Sequence, residues 1–217
     1  MSFATPRDAA AFEVVEALRE PGCAVCGLSL RSVARLLQTI SYEQVNDPAL
    51  RAELRKARGF CNAHAHQWLR EARGQLGTAL IYRDLLQATL RDLEQRAPSR
   101  SAGKCVACRA QSEAEQRYVE ALVAAVSADS AALDASDGLC RRHTLASMRV
   151  GGRGAMLIAD HTRRAIEQLT RELDEVIRKE DYRFRHEPRT DAERSAPSRA
   201  VALVAGAAGL VSVQEGR

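Results

Sequence analysis

Cysteine and histidine recur in this chain at spacings that suit the binding of metal ions. The chain contains two CxxC and two CxxH motifs, which together use all six of its cysteines and two of its five histidines: Cys23, Cys26, Cys61, His64, Cys105, Cys108, Cys140 and His143. Two side chains three residues apart at a helix start can reach one ion, at about 2.3 Å for sulfur. One CxxC and one CxxH together supply Cys3His, a closed tetrahedral zinc set. The sequence therefore predicts two metal sites, with two Zn²⁺ as the expected ions.

The motifs come twice in the same order, which indicates a duplicated unit. Each CxxC is followed by a long spacer, 34 residues (27–60) in the first copy and 31 residues (109–139) in the second. A glycine, an apolar residue and CxxH then follow in both copies. A further echo, with glycines at Gly77 and Gly154, comes after each histidine. A period of about 80 residues is typical of a repeated supersecondary unit.

The matching spacers favour pairing within each repeat, so that the CxxC of one half shares its ion with the CxxH of the same half. A helical hairpin in the spacer would return the chain to its start, and the metal would join its two ends. A crossed pairing, with the CxxC of one half meeting the CxxH of the other, stays open. Structural zinc supplies on the order of 10 kcal/mol of folding free energy, so we expect the metal-free protein to be loosened or unfolded.

The segments between the motifs carry helical periodicity. Apolar residues recur at helix spacing in three stretches: Leu30, Val33, Leu37 and Ile40; Leu76, Leu80, Leu86, Leu90 and Leu93; and Ile158, Ala165, Ile166, Leu169, Leu173, Val176 and Ile177. Asp47 and Pro48 predict a helix start, and Gly59 predicts its C-terminal cap. Because no segment shows sustained two-residue alternation, we expect an all-α fold, a duplicated helical repeat with each half stapled by a CxxC…CxxH metal site.

The sequence divides into four parts. We predict a first helical metal-binding repeat over 1–96, a linker over 97–104, a second helical metal-binding repeat over 105–182, and a polar linker with an apolar C-terminal segment over 183–217. Residues 183–199 are polar and contain two prolines, which predicts an extended or partly disordered connection. The apolar run Ala200–Val213 is short for a membrane span, and we expect it to dock on the helical core, with a membrane-surface contact as the alternative.

The N-terminus and the overall charge indicate a compartment and exclude some partners. The first twenty residues lack a basic region followed by an apolar one, and Asp8 and Glu13 interrupt them, so we expect no secretory signal and a cytoplasmic protein. A reducing compartment favours metal ligands over disulfides. No apolar run approaches about 18 residues, so no transmembrane segment is expected. The net charge of +4, from 32 basic and 28 acidic residues, does not argue for a polyanionic partner.

The motif regions also resemble a known family. They are Cys23–Cys26, Phe60–Ala65, Cys105–Cys108 and Cys140–His143. These segments are similar to an uncharacterised bacterial domain family of unknown function with duplicated CxxC and FCxxHAW-like elements. The similarity covers most of residues 10–180 and implies a helical protein with paired metal sites, but no activity or substrate. Ala24 and Val106 stand where proline is frequent in that family, and Trp68 is displaced from the position after His-Ala.

Three classes of function compete for these residues. The sequence favours a non-enzymatic scaffold or interaction module, because each Cys3His set leaves no open coordination position for chemistry. The alternative is a redox protein, in which the same ligands hold an iron–sulfur cluster or the CxxC pairs cycle as dithiols. Nucleic-acid binding is not expected, because acidic residues interleave with the arginines and few aromatic residues can stack on bases. The sequence identifies neither a protein partner nor an oligomeric state.

Several other residues near the motifs have simpler roles. His66 and His161 are expected to be ordinary helix histidines, and His186 to be solvated. Trp68 and Leu69 are expected to pack in the core. Two arginines, Arg141 and Arg142, stand beside Cys140, where they could offset the negative charge of a zinc ion bound by three thiolates.

Overall fold

The computed structural model describes residues 6–94 and 103–211, and every regular element in these two ranges is helical. The helices are, in chain order, α1 (Pro6–Ala17), α2 (Ala24–Thr39), α3 (Pro48–Ala57), α4 (Asn62–Glu71), α5 (Gln75–Glu94), α6 (Val106–Ala128), α7 (Ala131–Asp134), α8 (Arg141–Val150), α9 (Gly152–Arg178) and α10 (Asp191–Ala205). A π-helical turn, Ile40–Gln44, continues α2. The all-α prediction is confirmed for this part of the chain, and residues 97–102 of the predicted linker lie outside it.

The duplication seen in the sequence reappears in the order of the helices. Each repeat consists of a long helix that begins at CxxC, a short helix, a helix that begins at CxxH, and a second long helix, which gives α2–α5 in the first repeat and α6–α9 in the second. Gly77 and Gly154 occupy the same place in the two repeats. A Cβ on Gly77 would lie 3.4 Å from the carbonyl oxygen of Ser41, and a Cβ on Gly154 would lie 2.0 Å from that of Val123. Ser41 and Val123 hold equivalent positions in the repeats, so both glycines face the equivalent backbone, and the approach is closer at Gly154 than at Gly77.

The described residues form two compact units, and each unit takes residues from both sequence repeats. The first unit comprises Met1–Leu28 and Glu115–Leu210, and the second comprises Ser29–Ala114 and Val211–Arg217. The first turn of α2 therefore belongs to the first unit, whereas the first turns of α6 belong to the second. The repeat boundaries predicted at 1–96 and 105–182 follow the duplication of the sequence, and the compact units interleave across them.

The second unit has a core built around a stacked aromatic pair. The rings of Phe60 and Trp68 lie 5.4 Å apart between centroids at an interplanar angle of 22°. The indole of Trp68 is fully buried and donates a hydrogen bond to Thr78 Oγ1 at 3.0 Å. The core also includes residues from α2, from the π-helical turn and the residue after it, and from α3, α5 and the start of α6: Val33, Leu37, Ile40, Val45, Leu54, Ile81, Val106 and Ala107. Trp68 lies in the core as predicted, but Leu69 beside it is 65% exposed, so the prediction for Leu69 is wrong.

The buried face of α5 differs from the predicted leucine stripe. Its buried residues are Gly77, Ile81 and Ala88, whereas four of the five predicted leucines are exposed: Leu76, Leu86, Leu90 and Leu93. Small residues let a helix approach its neighbours closely, so the face with glycine and alanine packs inward. Periodicity could not distinguish the two faces, because apolar residues repeat at helical spacing on both.

The first unit packs α7, α8 and α10 against the long helix α9. Ile158 and Leu169 of the predicted stripe on α9 are buried, while Ile166 is 43% and Ile177 69% exposed. The stripe is thus confirmed only in part. Helix α9 is 27 residues long, and its fully buried residues all lie between Gly154 and Leu169.

The prediction of an extended connection over 183–199 is wrong for residues 191–199, which form the first part of α10. Thr190 caps this helix, because its hydroxyl accepts a hydrogen bond from the amide of Glu193, and the Glu193 carboxylate accepts one from the Thr190 amide. This reciprocal capping outweighs the proline at position 197, which the helix accommodates. Helix α10 packs on α8 and α9 through a face whose buried residues, Glu193 and Ala196, precede the apolar run. In the described part of that run, residues 200–211, no residue is fully buried, and Val201 and Val204 are 66% and 63% exposed, so the expected docking is not confirmed. Among the described residues, no helix is long and apolar enough to cross a membrane.

Candidate metal centres

The eight predicted ligands gather into two groups of four, and the grouping is crossed between the repeats. Cluster 1 consists of Cys23, Cys26, Cys140 and His143, and cluster 2 consists of Cys61, His64, Cys105 and Cys108. Within each cluster, the sulfur and nitrogen atoms all lie within 4.8 Å of one another. The preferred pairing within each repeat is therefore wrong, and the crossed alternative is correct. All of cluster 1 lies in the first unit and all of cluster 2 in the second.

The lengths of the helices explain why the pairing within repeats fails. Helix α2 and its π-helical turn contain 16 and 5 residues, and the following α3 contains 10. At 1.5 Å per residue, the chain runs out by about 31 Å and returns by only about 15 Å before it reaches the CxxH motif. In the second repeat the outgoing and returning helices differ more in length, with 23 residues in α6 and 4 in α7. Neither spacer folds into the equal hairpin that would bring CxxH back to its own CxxC.

Each of the four motifs lies at the start of a helix, as predicted. Cys61 and Cys140 are the N-cap residues of α4 and α8, and Cys23 and Cys105 directly precede α2 and α6. The carbonyl oxygen of each of these cysteines accepts a hydrogen bond from the amide four residues later. Helix N-termini stabilise negative charge, so all four positions favour the thiolate form that metal ions require.

A glycine places the cysteine of each CxxH motif. Gly59 and Gly138, two residues before the cysteine in each copy, have φ of +92° and +79°, a region that side chains rarely adopt. A Cβ at Gly138 would also lie 2.9 Å from the ring of His161.

Gly59 follows Arg58, which is the C-cap residue of α3 with φ +60°, so the predicted cap is displaced by one residue. The predicted start of α3 is confirmed, because the Asp47 carboxylate accepts a hydrogen bond from the Leu50 amide at 2.7 Å.

Cluster 1 is compact and mostly buried. The Nδ1 atom of His143 lies 3.4 Å from the sulfur of Cys23, 3.4 Å from that of Cys26 and 3.3 Å from that of Cys140. The sulfurs of Cys26 and Cys140 are 3.6 Å apart. Three of the four ligands are buried, and Cys23 is partly exposed. The amide of Gly22 donates to the Asp137 carboxylate at 2.8 Å, which ties the CxxC turn to the segment before Cys140.

Cluster 2 has the same arrangement, with cysteine residues that are less buried. The Nδ1 atom of His64 lies 3.3 Å from the sulfur of Cys61, 3.7 Å from that of Cys105 and 3.4 Å from that of Cys108. The sulfurs of Cys61 and Cys108 are 3.5 Å apart. His64 is fully buried, whereas all three cysteines are partly exposed.

These distances match a tetrahedron of ligands around one ion. Zinc bonds of about 2.3 Å to sulfur and about 2.0–2.1 Å to nitrogen place two sulfurs about 3.8 Å apart and a sulfur and a nitrogen about 3.6 Å apart. Four of the six separations in each cluster are 3.3–3.7 Å, close to these edges, and the other two are within 4.8 Å. A disulfide needs an S–S distance of about 2.05 Å, and all six cysteines are free thiols. Each Cys3His group could therefore hold a metal ion.

Both histidines face their cluster through Nδ1, which leaves Nε2 on the far side of the ring. Nε2 of His143 lies 3.9 Å from a carboxylate oxygen of Glu115, and the same carboxylate accepts a hydrogen bond from Arg142 at 2.5 Å. A distance of 3.9 Å is too long for a hydrogen bond, so the Glu115 carboxylate stands beside the ring as a nearby negative charge. Arg142 thus pairs with Glu115, although the sequence predicted that it would offset the charge of the cluster. Glu115 itself carries no signal in the sequence, because nothing in the local pattern places it beside residue 143.

The ligands within each cluster shift one another's pKa. In cluster 1, burial opposes a charged imidazole, but hydrogen bonds to Cys140 and Cys26 outweigh it and raise the pKa of His143 to about 11. Hydrogen bonds with Cys23 and Cys26 lower the pKa of the Cys140 thiol, and the same contact with Cys140 raises the pKa of Cys23. In cluster 2, burial and the charge of Cys105 raise the pKa of Cys108. A metal ion that binds three thiolates and a neutral imidazole must therefore displace protons.

The remaining histidines lie outside both clusters. Nε2 of His161 lies 3.2 Å from the carbonyl oxygen of Ser136, close to the turn before Cys140. His66 and His186 are not fully buried. The expectation of ordinary roles for these three residues agrees with their positions in the structure.

The fold and the two ligand sets define a class of protein, an all-helical protein over its described residues with two Cys3His groups that could each hold a metal ion. Residues 8–104 match a family of unknown function (DUF6062). The chain is also 28% identical over 205 residues to an uncharacterized 23.9 kDa protein in xynA 3'region of Caldicellulosiruptor sp. (strain Rt8B.4), covering 89% of this chain and 99% of that relative. No solved structure matches.

These comparisons confirm the resemblance to an uncharacterised bacterial family, and they attach no activity to the chain. The matched span, residues 8–104, contains the first CxxC and the first CxxH. Because the grouping is crossed, these two motifs belong to different clusters. The span therefore carries half of each cluster and completes neither.

Proposed function

We propose that this protein binds two Zn²⁺ ions in closed Cys3His sites and serves as a scaffold or interaction module rather than an enzyme. The observation that carries the proposal is the arrangement of donor atoms in each cluster, with three sulfurs and one nitrogen at tetrahedral separations. Each ligand set is complete without solvent or substrate. A zinc ion that keeps no open position serves structure and not catalysis.

The chemistry of the donors favours zinc over the alternatives. Thiolate and imidazole ligands suit zinc, and a tetrahedral set of three sulfurs and one nitrogen is typical of its structural sites. An iron–sulfur cluster places several irons and sulfides between its cysteine ligands, and it usually takes four cysteines. Four of the six donor separations in each group are 3.3–3.7 Å and all are within 4.8 Å, which suits the volume of one ion better than that of a cluster of several irons and sulfides.

The two ions would each join distant parts of the chain. In cluster 1, Cys23 and His143 are 120 residues apart, and in cluster 2, Cys105 and His64 are 41 residues apart. Ions that close such long loops restrict the unfolded chain and stabilise the folded one. The free thiols that this function requires persist in a reducing compartment, so we also propose a cytoplasmic location.

Elemental analysis of protein purified without oxygen, together with native mass spectrometry and a visible spectrum, tests the proposal. We expect two zinc ions per chain and no visible absorbance. Removal of the ions by a chelator should lower the thermal stability of the helices, measured by circular dichroism. Protein that contains no metal, or that contains iron and sulfide and is coloured, would contradict the proposal.

A further inference from the structure

The two clusters differ in how deeply their cysteine residues are buried. In cluster 1, Cys26 and Cys140 are 1% and 2% exposed, and only Cys23 is partly exposed. In cluster 2, all three sulfur ligands are partly exposed. Since the ligand types and distances are the same in both clusters, coverage is the main difference between them.

The cover of cluster 1 comes in part from the segment after α10. Gly206 ends that helix with φ +84°, and a Cβ built on it would lie 3.5 Å from the sulfur of Cys26 and 3.7 Å from that of Cys140. The backbone of residue 206 therefore lies close against the two buried sulfurs. Cys23, the remaining sulfur ligand, lines a small cavity of about 100 Å³ together with Leu203 of α10.

Cluster 2 holds a segment whose position depends on its ligands. Cys105 and Cys108 flank Val106 and Ala107, which are 5% and 0% exposed in the core of the second unit. A metal ion on these cysteines anchors the first turn of α6 to α4, through His64 and Cys61. Loss of the ion would remove the link between the first turn of α6 and α4. Binding or loss of zinc would therefore change how firmly this buried turn is held.

We propose that cluster 2 is a thiol-based redox switch, which releases its zinc on oxidation by a hydroperoxide while cluster 1 retains its own. This inference rests on the proposed zinc binding. A partly exposed thiolate is the form of cysteine that peroxides oxidise, and susceptibility follows thiolate character and exposure. Three partly exposed cysteine residues in cluster 2, against one in cluster 1, favour reaction at cluster 2.

The oxidation step uses two thiolates and one hydroperoxide. One thiolate sulfur of cluster 2 attacks a peroxide oxygen, the O–O bond breaks, and a sulfenic acid forms as hydroxide or alkoxide leaves. A second thiolate attacks the sulfenic sulfur and expels hydroxide to form a disulfide, for which Cys61 and Cys108, with sulfurs 3.5 Å apart, are in contact. The two sulfurs lose two electrons, the peroxide gains them, and solvent supplies two protons. Zinc leaves because the disulfide no longer ligates it.

Titration of the intact zinc-loaded protein with hydrogen peroxide tests the switch. Zinc release is followed with a chromogenic chelator, and the oxidised cysteines are located by differential alkylation and peptide mass spectrometry. We expect one zinc per chain to leave about tenfold faster than the other. The cysteines oxidised in that phase should be those of cluster 2, and a thiol reductant with added zinc should restore the original state.

Matched variants assign the fast phase to its cluster. Cys108→Ser removes a ligand of cluster 2, and this variant should bind one zinc and lack the fast phase. Cys26→Ser removes the corresponding ligand of cluster 1, and this variant should bind one zinc and keep the fast phase. Release of both ions at one rate from the wild type, or oxidation of cluster 1 first, would overturn the inference but not the proposed zinc binding. Protein that binds no zinc before peroxide is added would instead overturn the proposed function.

Discussion

At the scale of single residues, the effect of replacing a ligand depends on which other three ligands share its ion. Cys23 and Cys140 belong to cluster 1, whereas Cys61 belongs to cluster 2, although Cys23 and Cys61 lie in the same sequence repeat. Removal of one thiolate from a Cys3His set leaves three ligands and an open position, which weakens the site strongly. A second substitution in the same cluster should lower the zinc content little further, because the first has already weakened that site. A second substitution in the other cluster releases the second ion.

This reasoning predicts the zinc content of two double variants. Cys23→Ser with Cys140→Ser should retain one zinc per chain, because both changes fall in cluster 1. Cys23→Ser with Cys61→Ser should retain none, because the changes fall in different clusters. Metal analysis and native mass spectrometry of the purified variants measure the difference. The opposite result, with one zinc in the second variant and none in the first, would show that the ions join the motifs within each repeat.

At the scale of helices, the sequence predicts the presence of the elements better than the faces that they bury. The helix start at Asp47 follows from local capping chemistry, because its carboxylate accepts a hydrogen bond from the Leu50 amide. The starts at each CxxC and CxxH are predicted from the motifs themselves, and Cys61 and Cys140 make no side-chain capping hydrogen bond. The inward face of α5 depends on which residues of other helices approach it. Small residues at Gly77 and Ala88 decide that contact, and a pattern based on leucine misses them. Helix α10 was missed for another reason, because its polar first turn resembles a linker unless the Thr190–Glu193 capping pair is recognised.

The contact at Gly154 predicts a specific loss of stability. Gly154→Ala should destabilise the zinc-loaded protein by about 1–3 kcal/mol, because the added Cβ would meet the carbonyl oxygen of Val123 and overpack the contact. This loss opposes the gain of up to about 1 kcal/mol that alanine gives over glycine inside a helix. Denaturant unfolding, followed by circular dichroism, measures the change.

Gly77→Ala is the matched control, because Gly77 holds the same place in the first repeat. Its added Cβ would lie no closer than 3.1 Å to a neighbouring atom, the side-chain methyl group of Val45, which can shift. We expect a smaller loss than at Gly154. Equal stability changes for the two variants, or a stabilised Gly154→Ala protein, would mean that the helices of the second repeat do not approach as closely as described.

The junction between α9 and α10 predicts a dependence of stability on pH. Lys179 Nζ lies 2.8 Å from both carboxylate oxygens of Glu193 and 3.0 Å from the carbonyl oxygen of Pro188, and both side chains are buried. The hydrogen bonds from Lys179 lower the pKa of Glu193 below its ordinary value. A carboxylate with a lowered pKa adds stability above its unfolded pKa, near 4.3, and loses it as the pH falls through the folded value.

Glu193→Gln should therefore melt at a lower temperature than the wild type at pH 7. The gap between the two proteins should narrow as the pH falls below about 4.3, because the wild-type carboxylate then becomes protonated. Acid also releases zinc from thiolates, but this effect is common to both proteins and cancels in the difference. Thermal melts across pH 3–7 give the comparison, and a gap that stays constant with pH would contradict the assigned role of the ion pair.

At the scale of the whole molecule, the crossed ligands make the two halves of the sequence depend on each other. The ligand types and the duplication could be predicted from the sequence, because each motif is local and is repeated with its spacing. The partner of each motif could not, since both CxxH motifs offer the same donors to either CxxC. Only the unequal lengths of the outgoing and returning helices, such as 23 residues in α6 against 4 in α7, distinguish the two pairings. Each cluster consequently takes two ligands from before the predicted linker and two from after it.

This dependence predicts the behaviour of a chain that is cut between its halves. A protease site inserted within residues 97–102 of the full-length, zinc-loaded protein should be cleavable without loss of zinc, and the two fragments should remain together on gel filtration. A chelator that removes both ions should separate the fragments or unfold them, because neither fragment contains a complete Cys3His set. Uncut protein treated with the same chelator is the control for unfolding alone. Fragments that separate while each keeps one zinc ion would show that each half closes its own site, and the crossed arrangement would then be wrong.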